Sequence, residues 1–265
     1  MNSRRKKVFR LLNIFFQFFL LFFTLLPIYF LIISSFKTNP QILQNYFWIT
    51  FPIHFENYAR AFNRVMYYLL NSTVVCTITV VAVSILSCVT SYVFAKFEFY
   101  GKKVLFMVIL SFLMIPSILT LIPQFILIAN MKLIGSKLAL ILPYAAWGQI
   151  TFIFVLRTFI EEIPDDLFSC AKLDGANDIM TFRHIVFPIA KPMITSLALL
   201  NFLGNWNDLI WPSLVLHKDK SKTVTVGLYA FTGVQNIQYG LLFAGFVISS
   251  LPVVILFTVN MKYFI

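Results

Sequence analysis

The stretch EEIPDDLFSCAKLDGANDIMTFRHIVFPIAKP, Glu161 to Pro192, is a long polar segment set between apolar runs. Its local grammar is helix, bend, helix. Pro164 suits a first helical position, where its fixed φ and missing N–H cost nothing. Asp165 and Asp166 follow in the first turn and Lys172 comes near the other end, so each charge sits where the helix dipole favours it. Leu167, Cys170 and Ala171 fall at i, i+3 and i+4 and make a narrow face. Gly175 breaks the helix. Ile179, Phe182, Ile185 and Val186 then repeat the helical spacing before Pro188 stops it. A helix this short is not stable alone in water. It either packs back on the neighbouring apolar runs or offers its apolar residues to a partner, and the spacing leaves both open.

Working outward, apolar runs cover about 11–34, 69–94, 104–129, 138–159, 193–214 and 241–261. Each is long enough to cross the hydrocarbon core of a bilayer. Of the 265 residues, 60% are hydrophobic, 12% are charged and 31 are Phe, a balance that a soluble core cannot absorb. The expectation is an all-α integral membrane protein of one domain, with six transmembrane helices and a cytoplasmic loop at 161–192 between the fourth and fifth. The basic cluster Arg4, Arg5, Lys6, Lys7 and Arg10 precedes an apolar run too long for a signal peptide, so the first run reads as an uncleaved span. Thirteen of the 21 Lys and Arg fall on the side of the N-terminus and of the 161–192 loop, and eight on the other. That bias places both termini in the cytoplasm.

The net charge of +11 is therefore a topology signal. Its dispersal over short connections argues against nucleic acid as a partner. Cys76, Cys88 and Cys170 match no metal or redox spacing, and His54, His184 and His217 lie far apart, so no metal site is expected. No G-x-x-x-x-G-K-[ST] occurs, so the chain has no nucleotide site of this type. The connection from 36 to 68 carries Pro40, Pro52, Trp48 and several Tyr, rings that suit a bilayer interface.

Within the runs, Pro116 and Pro123 predict a bend or a cavity lining in the third, with Gln124 a polar group at depth. Ser84, Ser87, Ser91 and Ala95 predict close helix packing along the second. Asn205, Trp206, Asn207 and Asp208 lie inside the fifth, with Trp211 and Pro212 following. An ionisable group at such depth is costly and faces a cavity or a partner. Amide and carboxylate groups bond sugar hydroxyls and an indole face stacks on a sugar ring, so these four are candidates for a substrate path. The alternative places Trp206 and Trp211 in the outer aromatic belt. A membrane-embedded enzyme would need a second carboxylate, a metal trio or a nucleophile with a base at depth, and Asp208 shows no such partner in the sequence.

Ile163-Pro164, Ala171, Asp174-Gly175-Ala176 and Phe187-Pro188 together resemble the cytoplasmic loop of ABC-importer permeases, in the wording of the carbohydrate-uptake (maltose-type, second permease subunit) family. Asn57-Tyr58, Asn71-Ser72, Tyr92, Ala95, Phe97, Gly101, Trp206-Asn207-Asp208 and the stretch 223–228 extend the resemblance over most of the chain. It implies that 161–192 holds a coupling helix docking on an ATP-hydrolysing subunit through Leu167, Ser169, Cys170, Ala171, Asp174, Gly175 and Ala176. Ser169 stands where the family has Glu, and Cys170 where it has Ala. The implied assembly has a second, different permease, two ATPase subunits that bind the ATP, and an extracytoplasmic substrate-binding protein. The permease itself carries no cofactor and no catalytic residue. The implied solute is a sugar or oligosaccharide, with glycerol phosphate or another small polar solute as the alternative. Relatives continue beyond Tyr263-Phe264 with a short Gly-rich tail.

Overall fold

The computed structural model of the chain describes residues 3–232 and 237–263. The α-helices run in this order: α1 Ser3–Ser35, α2 Asn39–Gln44, α3 Glu56–Lys96, α4 Lys102–Ser111, α5 Ser117–Asn130, α6 Leu138–Glu161, α7 Asp165–Leu173, α8 Asp178–Thr181, α9 Phe187–Asn207, α10 Ile210–Val215, α11 Val224–Tyr229 and α12 Tyr239–Asn260. Among the described residues five stretches are long and apolar enough to cross a membrane, and the bent pair around α4 and α5 brings the number to six where it is counted as one span. The chain divides into two compact units, Met1–Met66 with Leu228–Leu251, and Tyr67–Gly227 with Pro252–Ile265.

In the first unit, α1 carries its apolar residues on the outside, and none of its most apolar window is buried. Lys37 follows α1 and is buried, its ammonium donating to the carbonyls of Asn45 at 2.7 Å and Tyr46 at 3.4 Å. Burial pushes the Lys37 pKa below the ordinary lysine value. Asn57 donates to the carbonyls of Ser35 and Lys37, and Asn39 donates to Ile237. Gly240 lies against the Lys37 carbonyl so closely that a Cβ there would overlap it. Backbone cannot swing aside as a side-chain tip can. Gly240→Ala is therefore expected to cost about 1–3 kcal/mol, the usual range for overpacking, seen as a lower thermal unfolding midpoint of the purified protein.

α3 starts at Glu56, thirteen residues before the apolar run expected at 69. The reason is a helical stripe in the polar part: Ala61, Val65, Tyr68 and Leu69 are all buried. In the second unit, Ser87 and Ser91 are fully buried, and the Ser91 hydroxyl donates to the Ile153 carbonyl of α6. Small side chains allow that close approach.

The third apolar run is not one straight helix. α4 and α5, with a short 3₁₀ turn Phe112–Met114 between, cross at 103°. Ile115, held in the extended region (φ −85°, ψ 116°), makes the break, because the ring of Pro116 excludes the helical region for the residue before it. Pro123 is tolerated inside α5.

Pro188, expected to stop its helix, does not. A π-helical turn, Phe182–Val186, precedes it, and Pro188 falls in the first turn of α9, where no N–H is needed. The far end of α9 also differs from expectation. The helix stops at Asn207, Asp208 is extended, and α10 follows as a separate short helix, so Asp208 sits in a break and not inside a continuous run at 193–214.

Candidate functional site

Two places in the second unit gather the residues singled out by sequence. The first is α7 and its exit. Pro164 caps the helix and Asp165 is its first residue. At the other end Asp174, Gly175 and Ala176 close it as a Schellman motif: Gly175 N–H donates to Lys172 O at 3.1 Å and Ala176 N–H to Ala171 O at 2.9 Å, with Gly175 at φ +79°. Asn177 then caps α8 through its side-chain oxygen, which accepts from Met180 N–H at 2.9 Å. The wording Asp-Gly-Ala-Asn is thus a tight stop and restart, and only glycine takes the left-handed position without strain.

The expected face of Leu167, Cys170 and Ala171 is split. Ala171 is buried, and Phe168 packs on the core of Val83, Phe152, Leu156 and Val186. Leu167 and Cys170 point outward, Leu167 being 42% exposed and Leu173 88%. Ser169 is exposed and donates back to Asp165 O, while Asp174 and Gly175 are exposed and Ala176 is half-buried. So α7 is anchored on one side and open on the other.

Sequence reasoning missed the anchor. Lys96, at the end of α3, donates to the Ile163 carbonyl at 2.9 Å and to Asp165 at 2.8 Å, and stands 4.4 Å over the Phe168 ring. Phe168 could have been found from its i, i+3 spacing to Ala171; Lys96 is distant in sequence and gave no signal. Asp165 is exposed, so its ion pair adds little. The carbonyl bond and the ring contact carry the anchor. Lys96→Met is expected to raise hydrogen exchange over 165–177 about tenfold, equivalent to about 1.4 kcal/mol.

The second place is the bend of α4 and α5. A cavity of about 190 Å³ opens beside Pro116, lined by Ser117, Thr120, Gln124, Tyr144, Trp147, Asp208 and Trp211 with four apolar residues. The Tyr144 hydroxyl donates to Asp208 Oδ2 at 2.7 Å, and the Ile210 N–H donates to Asp208 Oδ1 at 3.0 Å. Trp147 Nε1 donates to Gln124 Oε1 at 3.1 Å, and the buried Trp211 indole to Ala139 O. Trp147 also lines a larger, mostly apolar cavity of about 550 Å³ with Thr90, Phe112 and Gln149.

Of the four path candidates, only Asp208 lines the smaller cavity. Trp206 is buried and stacked on Phe202, Asn205 bonds Asn201, and Asn207 is exposed. Asp208 does have a partner, Tyr144, whose place 64 residues earlier hid it from sequence reading. The arrangement offers hydroxyl, amide, indole and carboxylate groups in the lining of one cavity. Among the described residues no group of three or more His, Cys, Asp or Glu is placed to hold a metal ion.

Residues 84–264 match the family described as "Binding-protein-dependent transport system inner membrane component". The chain belongs to this family. It is thus a permease subunit of an ABC importer, a component of the inner membrane. It is 35% identical over 240 residues to the diacetylchitobiose uptake system permease protein of Streptomyces coelicolor, covering 89% of this chain and 79% of that one. It is 30% identical over 271 residues to the arabinooligosaccharides transport system permease protein of Bacillus subtilis, covering 100% and 95%. The fold matches a chain from the crystal structure of a bacterial ABC transporter involved in the import of the acidic polysaccharide alginate, with a TM-score of 0.84 at 22% identity over 100% of this permease and 99% of that chain.

Proposed function

We propose that this permease carries a sugar or oligosaccharide and couples to its ATPase through α7. The observation that carries the coupling is the two-sided mounting of that helix. Lys96, Phe168 and Ala171 fix one side to the core, and Leu167, Cys170 and Leu173 leave the other open. A rigidly mounted helix transmits a push from a partner to α6 and α9, whereas a loose loop would absorb it.

The cavity at the α4–α5 bend supports the solute class. Its donors and acceptors suit hydroxyls, and Trp147 offers a ring face. Asp208 is the one acidic side chain in the lining, and no Lys, Arg or His joins it, which suits a neutral sugar better than glycerol phosphate. The relatives' uptake of diacetylchitobiose and arabino-oligosaccharides agrees with this. The assembly would add a second permease, two ATPase subunits that bind the ATP, and an extracytoplasmic binding protein, with both termini of this subunit cytoplasmic.

The test is uptake by the whole transporter, purified from its own membranes and sealed in vesicles. ATP-dependent accumulation of a labelled neutral oligosaccharide, with none of glycerol phosphate, is the expected result. Accumulation of glycerol phosphate alone would overturn the solute class.

A further inference from the structure

We propose that residues 43–55 form an anchor that dips into the outer leaflet of the membrane beside α1, with lipid as its partner. A ruler along α1 sets the level. The basic cluster ends at Arg10. About 20 helical residues span the 30 Å hydrocarbon core, which puts the outer hydrocarbon boundary near Tyr29 and Phe30. The chain reaches Phe36, turns through α2, and comes back down to that same level. There the Tyr29 hydroxyl donates to the Phe47 carbonyl at 2.9 Å, and the Phe30 and Tyr46 rings stack at 6.2 Å. It then climbs again, since the His54 N–H donates to the Phe36 carbonyl at 2.9 Å. The dip is about 10 Å deep, seven residues of helix rise.

Two further features fit lipid and not water. The first is the side chains. Phe51 is 80% exposed and Trp48 72%, and Leu43, Phe47, Ile49 and Phe55 are exposed with them. This apolar surface continues the exposed apolar surface of α1. The second is the backbone. Close to hydrocarbon a carbonyl gains more from an internal donor than it does in water. Lys37 supplies one to Asn45 and Tyr46, Tyr29 to Phe47, and Gln41 to Pro52 at 3.0 Å. Trp48 and Tyr46 then sit where amphipathic rings prefer to be, at the headgroups.

The experiment uses the full chain in its assembled transporter, in lipid vesicles, with Cys170→Ser to remove the exposed native thiol. Nitroxide labels are placed singly through Trp48→Cys and Phe51→Cys. Phe22→Cys on α1, exposed on this chain at mid-span depth, serves as the hydrocarbon-depth reference, and Tyr100→Cys, a fully exposed residue in the connection after α3, as the water reference. Labels at 48 and 51 are expected to relax with oxygen and lose relaxation by a water-soluble nickel chelate, as at 22. Nickel relaxation equal to that at 100 would overturn the proposal. Protection from both reagents would overturn it too, because a protein partner would then cover the surface. Lys37→Met is expected to restore nickel relaxation at 48 and 51 by freeing two carbonyls. No change would overturn the role given to Lys37.

Discussion

Leu167→Glu is expected to abolish ATP-driven uptake while leaving the permease folded. Leu167 lies on the open side of α7 and is exposed in the isolated chain, so the substitution costs little there. Against a partner the balance reverses. A carboxylate pressed into an apolar contact must lose its water, and central contacts of this kind are worth about 2 kcal/mol or more. Co-purified ATPase should fall about thirtyfold or more at matched permease yield. Gly175→Arg is expected to act alike by another route. Its φ of +79° strains any other residue by about 1–2 kcal/mol, opening the Schellman closure that sets the end of α7. A Leu167→Glu permease that held its ATPase at the wild-type level would remove α7 from the coupling path.

The second large effect belongs to Asp208. Asp208→Ala strands the half-buried Tyr144 hydroxyl and removes the acceptor of the Ile210 N–H, together costing about 2–4 kcal/mol at the cavity wall. Uptake is expected to fall tenfold or more, with the ATPase still bound, because α7 is not touched. Asp208→Asn retains one acceptor and is expected to recover part of the loss. Loss of the ATPase in Asp208→Ala would instead mark the residue as structural for the whole subunit.

How much of this was legible in the sequence follows from distance along the chain. The Asp174-Gly175-Ala176 stop and the charges at the two ends of α7 are local chemistry, and the helix forms as its residues dictate. The break at Pro116 was legible as a bend, though not its angle, which depends on how Phe112–Met114 winds. Pro188 misled, since a π turn ahead of it removes the clash that would end a helix. The inward side of α7 needed Lys96, about seventy residues away, and the cavity needed Tyr144 brought to Asp208. Hydrophobic periodicity finds the spans in both cases but says nothing about which polar pairs meet between them. Trp206 shows the converse: a sugar-binding type of residue at a plausible depth is buried against Phe202.

The most direct test of the central claim places a short photocrosslinker on Cys170, beside Leu167 on the open side of α7. Cys76 and Cys88 are buried, so labelling of the native transporter in its membranes is selective. The account predicts a crosslinked product containing this permease and the ATPase subunit, reduced in Leu167→Glu. A probe at Cys170 that crosslinks only to lipid or to its own chain, in a preparation where the ATPase co-purifies, would contradict it.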